Sequence, residues 1–254
     1  MSKVQYLPWW WAAGGAAALV GAELAVSLGP AGWAAGLAFL LVSSALLSRG
    51  LARRGAIRLG PANAVTATRS VLVGVVTALT AASLTGSAVA LLLLPLTSVA
   101  LVLDAVDGAV ARRTGTATEL GARFDMEVDA FLLLVLCVYD ARLVGGWVLA
   151  IGLMRYAFVV AGGMLPWMNA TLPPRYWRKV VTAACGIALT AVATGLLPWA
   201  ANMSLVGVAL LLLVESFGRD VVWLVRTTRP GRVSWDDAVN RAGDDLVSSP
   251  QDLD

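Results

Sequence analysis

No histidine occurs anywhere in the chain. Triads and zinc sites that depend on imidazole are therefore excluded, and any general base has to be a carboxylate, a lysine or a tyrosine. Cysteine is almost as scarce. Cys137 and Cys185 each stand alone inside an apolar run, without metal or redox spacing, and read as small core residues. Charge is thin as well. Of 254 residues 14% are charged and 59% hydrophobic, a balance that belongs to a membrane protein rather than to soluble domains. The net charge of +3 is modest, and nothing in it points to a nucleic-acid partner.

What the chain does have is long apolar runs. Stretches near the roughly 20 residues needed to cross a bilayer fall at 9–28, 32–48, 62–84, 88–110, 120–140, 144–165, 178–198 and 203–225. The breaks between them include Gly29-Pro30, the basic segment Arg49–Pro61, Thr85-Gly86, Gly145-Gly146 and the proline-rich Leu172–Tyr176. The expected fold is an all-α polytopic membrane bundle of eight helices. Basic residues alternate between the connections. One side takes Lys3, Arg49–Arg58, Arg112 and Arg113, Arg175 to Lys179, and Arg226 to Arg232; the other takes little besides Arg142. By the positive-inside rule the richer side is cytoplasmic, and both termini lie on it. Tryptophans near the span ends, such as Trp9, Trp147, Trp177, Trp199 and Trp223, suit an interfacial belt.

Against this background the acids from Asp104 to Asp129 stand out. The chain reads Asp104-Ala-Val-Asp107-Gly108-Ala-Val-Ala111-Arg112, then eight residues, then Gly121-Ala-Arg-Phe-Asp125-Met-Glu-Val-Asp129. Carboxylates bordering hydrocarbon are costly and by default mark a functional site. On helices each pair of aspartates, three and four apart, shares a face. Two such faces turned together make an all-oxygen cage for a hard divalent cation, Mg²⁺ or Mn²⁺. Glycines at 108 and 121 allow close approach of backbone or ligand.

The pattern resembles the signature of the CDP-alcohol phosphotransferase family, D-x-x-D-G-x-x-A-R followed after eight residues by G-x-x-x-D-x-x-x-D, and all eight fixed positions are met. A second patch, Pro61-Ala-Asn63-Ala-Val-Thr66-Ala-Thr-Arg69, is similar to the P-N-x-x-T-x-x-R with which the family's first core helix begins. Ala62 intervenes between the proline and the asparagine, but Asn63, Thr66 and Arg69 keep their helical spacing.

The resemblance implies a six-helix core over 62–226, preceded by two additional membrane helices (1–48) and a basic interfacial segment (49–61). A polar, acidic-ended cytoplasmic tail (227–254) follows and lacks the apolar content to fold alone. It implies that Asp104, Asp107, Asp125 and Asp129 hold the metal, and that Asp129 is the base for the acceptor alcohol. Asn63, Thr66, Arg69, Gly108, Ala111, Arg112 and Thr118 meet the cytidine diphosphate moiety. It also implies a homodimer in the plasma membrane, with CDP-diacylglycerol as donor and a polar alcohol as acceptor. Arg155, Arg175, Arg178 and Lys179 suit a phosphorylated acceptor such as glycerol 3-phosphate or inositol phosphate. The reverse arrangement, a CDP-linked choline or ethanolamine head group given to diacylglycerol, stays open at this level. An intramembrane prenyltransferase would place D-x-x-x-D motifs far apart in sequence. A cation-coupled transporter would be expected to show internal repeats, and it gives Arg112 no task. Glu215 and Arg219 have the spacing of an ion pair, whereas Glu23 has no evident partner.

Overall fold

The computed structural model describes residues 7–53, 61–114, 119–165, 168 and 176–228, with side chains for all of these except 7, 61–64, 107–114, 119, 176 and 228. The described residues form eight α-helices and no strand. They are α1 (Leu7–Ala25), α2 (Gly29–Arg53), α3 (Pro61–Leu84), α4 (Ala90–Thr114), α5 (Glu119–Val144), α6 (Leu149–Met164), α7 (Tyr176–Ala193) and α8 (Trp199–Thr228), with a 3₁₀ turn at Gly146–Val148 before α6. The expected count of eight helices is met.

Local sequence sets the helix ends. Pro61 occupies the first position of α3, where its missing N–H costs nothing. Gly29, Gly86, Gly145 and Gly195 take positive φ at the turns, a conformation that a Cβ disfavours. Glu23 does have partners: its Oε2 accepts from the backbone N–H of Leu28 (3.0 Å) and from Nε1 of Trp33 (2.9 Å), tying the end of α1 to the start of α2. Helix α2 runs on through Arg53, so the front of the basic segment is its last turn; residues 54–60 lie outside the described residues.

Helix α3 is the hub, packed on α1, α2, α4 and α5. Its Val73, Val76, Ala78, Leu79 and Ala82 are buried among Leu19 and Leu40 of the N-terminal pair, Leu93 and Ala100 of α4, and Leu132 and Leu136 of α5. Small residues let the backbones approach. A Cβ on Gly32 would lie 2.8 Å from the carbonyl oxygen of Ala78, and one on Gly36 2.9 Å from the Ala78 Cβ. This is the close-contact geometry of small-xxx-small pairs in membrane helices. Beyond α5 the bundle continues through α6, α7 and α8, with Cys185, Leu189, Val206 and Leu213 in its core.

Large apolar side chains cover the outside as well as the core. Leu24, Leu46, Leu91, Val102, Val160, Leu196 and Leu211 are exposed, an arrangement that water disfavours and lipid accepts. Among the described residues four helical stretches are long and apolar enough to cross a membrane: Gly29–Arg53, Val65–Leu84, Gly146–Met164 and Trp199–Thr227. Ala90–Val106 is a shorter apolar stretch. Helix α5 carries Arg123, Asp125, Glu127, Asp129, Asp140 and Arg142, which break up its apolar run.

Candidate metal and phosphoryl-transfer site

Helices α4 and α5 each pack against α3, and the polar residues gathered where they do so are unusual. Arg69, near the start of α3, is 0% exposed, and Thr66, one turn earlier, is also buried. Asp104 projects from α4, and Asp125 and Asp129 project one turn apart from α5. The Arg69 guanidinium ties all three carboxylates. Nη1 donates to Oδ1 of Asp104 at 2.6 Å. Nη2 bonds Oδ1 of Asp125 and lies 2.8 Å from Oδ1 of Asp129.

Burial has a direction here. The acids are 40%, 31% and 23% exposed at Asp104, Asp125 and Asp129, while the arginine between them is wholly enclosed. The guanidinium is therefore the floor, and the carboxylates form a partly exposed rim. One oxygen from each acid can be chosen so that all lie within 4.8 Å of one another. That donor set is all-oxygen and suits a hard divalent cation. It already draws a cation, the guanidinium. The residues fit a divalent metal.

The second aspartate of the first pair, Asp107, lies in the last turns of α4 with Gly108, Ala111 and Arg112, where the backbone stays helical through Thr114. Their side chains, and that of Asn63, lie outside the described side chains; Thr118 and Arg175 lie outside the described residues.

Of the basic residues assigned to the acceptor, Arg155, Arg178 and Lys179 are described, and the two arginines pair with acids other than the three of the rim. Glu127 is two residues from both Asp125 and Asp129, which turns it roughly 200° around α5. There it meets Arg155 of α6 at 2.5 Å, so Arg155 lies on a different face of α5 from the acid rim. Arg178 of α7 lies 3.3 Å from Asp220 of α8, and Lys179 is exposed. Arg219 and Glu215 form the i,i+4 pair that their spacing suggests, and Glu215 also accepts from Nε1 of Trp177.

Two acids went unnoticed in the sequence. Asp220 is nearly enclosed at the α7–α8 contact, and Asp140 on α5 is 0% exposed. Neither oxygen of Asp140 has a hydrogen-bond partner among the described residues. Both were detectable in principle, as isolated carboxylates inside apolar runs.

A family model described as CDP-alcohol phosphatidyltransferase matches residues 60–214. That span holds α3 to α7, the first half of α8, the acid rim and the arginine beneath it. Neither the curated proteins nor the solved structures compared with the chain give a match.

Proposed function

Because the chain belongs to the CDP-alcohol phosphatidyltransferase family, we propose that it moves a phosphatidyl group from CDP-diacylglycerol to a polar alcohol and releases CMP, as a step of phospholipid synthesis. The observation that carries the reading is the convergence of Asp104, Asp125 and Asp129 from two helices onto one partly exposed rim. A divalent cation, Mg²⁺ or Mn²⁺, supplies charge neutralisation for the donor's diphosphate when bound at that rim.

The chain's own residues do the rest by positioning. Asp104, Asp107, Asp125 and Asp129 gather the site's negative charge. Arg112 is assigned to phosphate as a planar two-pronged donor, and Gly108, Ala111, Asn63, Thr66 and Thr118 to the nucleotide; Arg69, which the resemblance also sets there, is enclosed beneath the rim. Asp129 takes the proton of the acceptor hydroxyl. The acceptor oxygen then bonds to the phosphatidyl phosphorus, the bond from that phosphorus to the bridging oxygen breaks, and CMP leaves with the electron pair. Arg155, Arg175, Arg178 and Lys179 favour a phosphorylated acceptor, glycerol 3-phosphate or inositol phosphate.

A lipid donor and a water-soluble acceptor need a site at a membrane boundary, and the apolar outer surface of the bundle supports that setting. Basic residues on the same side as the acids support a cytoplasmic face in the plasma membrane. Family resemblance supports a homodimer. The test is to give the purified protein labelled CDP-diacylglycerol with a panel of acceptors and identify the lipid formed. A phosphatidyl product with one of the phosphorylated alcohols is expected; no phosphatidyl product with any acceptor would refute the reading.

A further inference from the structure

Three carboxylates with oxygens this close repel one another, and they come from two separate helices. Among the described residues, the group that spans both helices is Arg69. Its two terminal nitrogens divide the work, Nη1 on α4 and Nη2 on α5, where Nη2 also lies 3.5 Å from the Asp125 carbonyl oxygen. A planar, always-charged fork can do this, and a lysine ammonium cannot reproduce it. The arginine is otherwise poorly housed, since its Nε has no partner among the described residues and its whole side chain is enclosed. Burying a cation in that way is tolerable only while its acids remain in place.

Resting on the reading of the rim as the metal and transfer site, we infer that Arg69 is a positioning residue. It is a resident counter-cation that holds Asp104, Asp125 and Asp129 convergent before a divalent ion or a substrate arrives. From beneath the rim it meets the donor only through the carboxylates it holds. Three carboxylates outnumber the one guanidinium among these four side chains, so a net negative charge is left to draw a divalent cation. The site is then prearranged, and metal binding does not have to draw α4 and α5 together against their own repulsion.

The experiment is thermal unfolding of the detergent-purified full chain, in EDTA and in Mn²⁺, for wild type, Arg69→Gln, Arg69→Lys and Arg69→Gln/Asp104→Asn. Wild type is expected to lose little on chelation. Arg69→Gln in EDTA should unfold about 10 °C lower, Mn²⁺ should restore most of the difference, and adding Asp104→Asn should restore part of it without metal. A merely structural arginine would give a loss that neither Mn²⁺ nor the second substitution mends. That result, or an Arg69→Gln protein as stable in EDTA as wild type, overturns the inference. Should Arg69→Gln not accumulate, Arg69→Lys decides. A Mn²⁺-induced rise larger than that of wild type supports the inference, and an equal or smaller rise overturns it. Because the readout is stability, a wild type that makes no phosphatidyl lipid but shows the Mn²⁺ rescue would sink the transfer reading and leave the role of Arg69 standing.

Discussion

Arg178 of α7 reaches Asp220 of α8 across 3.3 Å, and the aspartate is almost completely enclosed while the arginine stays about one-third exposed. The acid thus fixes one end of the Arg178 guanidinium. If Arg178 serves a phosphorylated acceptor, Asp220→Asn should raise the acceptor's KM about fivefold, corresponding to ~1 kcal/mol at a part-exposed pair, with the donor's KM unchanged. Steady-state kinetics with each substrate varied in turn checks this. A shift confined to the donor would move Arg178 to the other subsite.

Among the acids assigned to the metal, Asp125→Asn and Asp107→Asn should each lower turnover by about 10²–10³-fold and leave the protein inserted in the membrane. Membrane fractionation beside a CMP-release assay separates the two effects. Near-normal rates would refute the metal assignment. Asp129→Asn should impair the chemical step more than donor binding, and unchanged turnover would remove it as the base.

Much of this was legible in the sequence, for identifiable reasons. Eight apolar runs announced eight helices, and among the described residues four of them are long and apolar enough to cross a membrane. Asp104, Asp125 and Asp129 were legible because their offsets are helical and fixed. The contact of Arg69 with them was not. Spacing puts Arg69 on one face with Asn63 and Thr66, but its partners Asp104, Asp125 and Asp129 lie 35, 56 and 60 residues away, a relation set by helix packing alone. The partner of Glu23 was hidden likewise, since Trp33 comes to it only once α1 and α2 fold back on each other. Helix α2 outruns its apolar segment because Arg49 and Arg53 can extend toward water while the backbone stays helical.

The α5–α6 contact depends on a missing side chain. A Cβ on Gly152 would lie 2.6 Å from the Cα of Leu134, a backbone atom that cannot rotate away, whereas one on Gly163 meets nothing within 4 Å. Gly152→Val should therefore destabilise the protein by about 1–3 kcal/mol, and Gly163→Ala should leave it unchanged or slightly firmer. Thermal unfolding of the two variants side by side measures the contrast; equal melting temperatures would contradict the close packing.

Asp140 is a carboxylate enclosed without a hydrogen-bond partner among the described residues. Its neighbour Arg142 donates instead to the carbonyl of Ser83 at 2.5 Å and lies over the ring of Tyr139. An unpaired polar group in such a place costs roughly 1–3 kcal/mol. Asp140→Val, apolar and only modestly larger, should raise the melting temperature by a few degrees. A fall would mean that the carboxylate has a stabilising role.

The most direct test of the central claim is CMP release from CDP-diacylglycerol by purified protein, with acceptor present, as Mn²⁺ or Mg²⁺ is titrated into a chelated sample. Release should be absent in chelator, rise with the cation to saturation, and vanish in Asp125→Asn. Release that persists in chelator, or that survives loss of the Asp125 carboxylate, would contradict a divalent-ion site built on these acids.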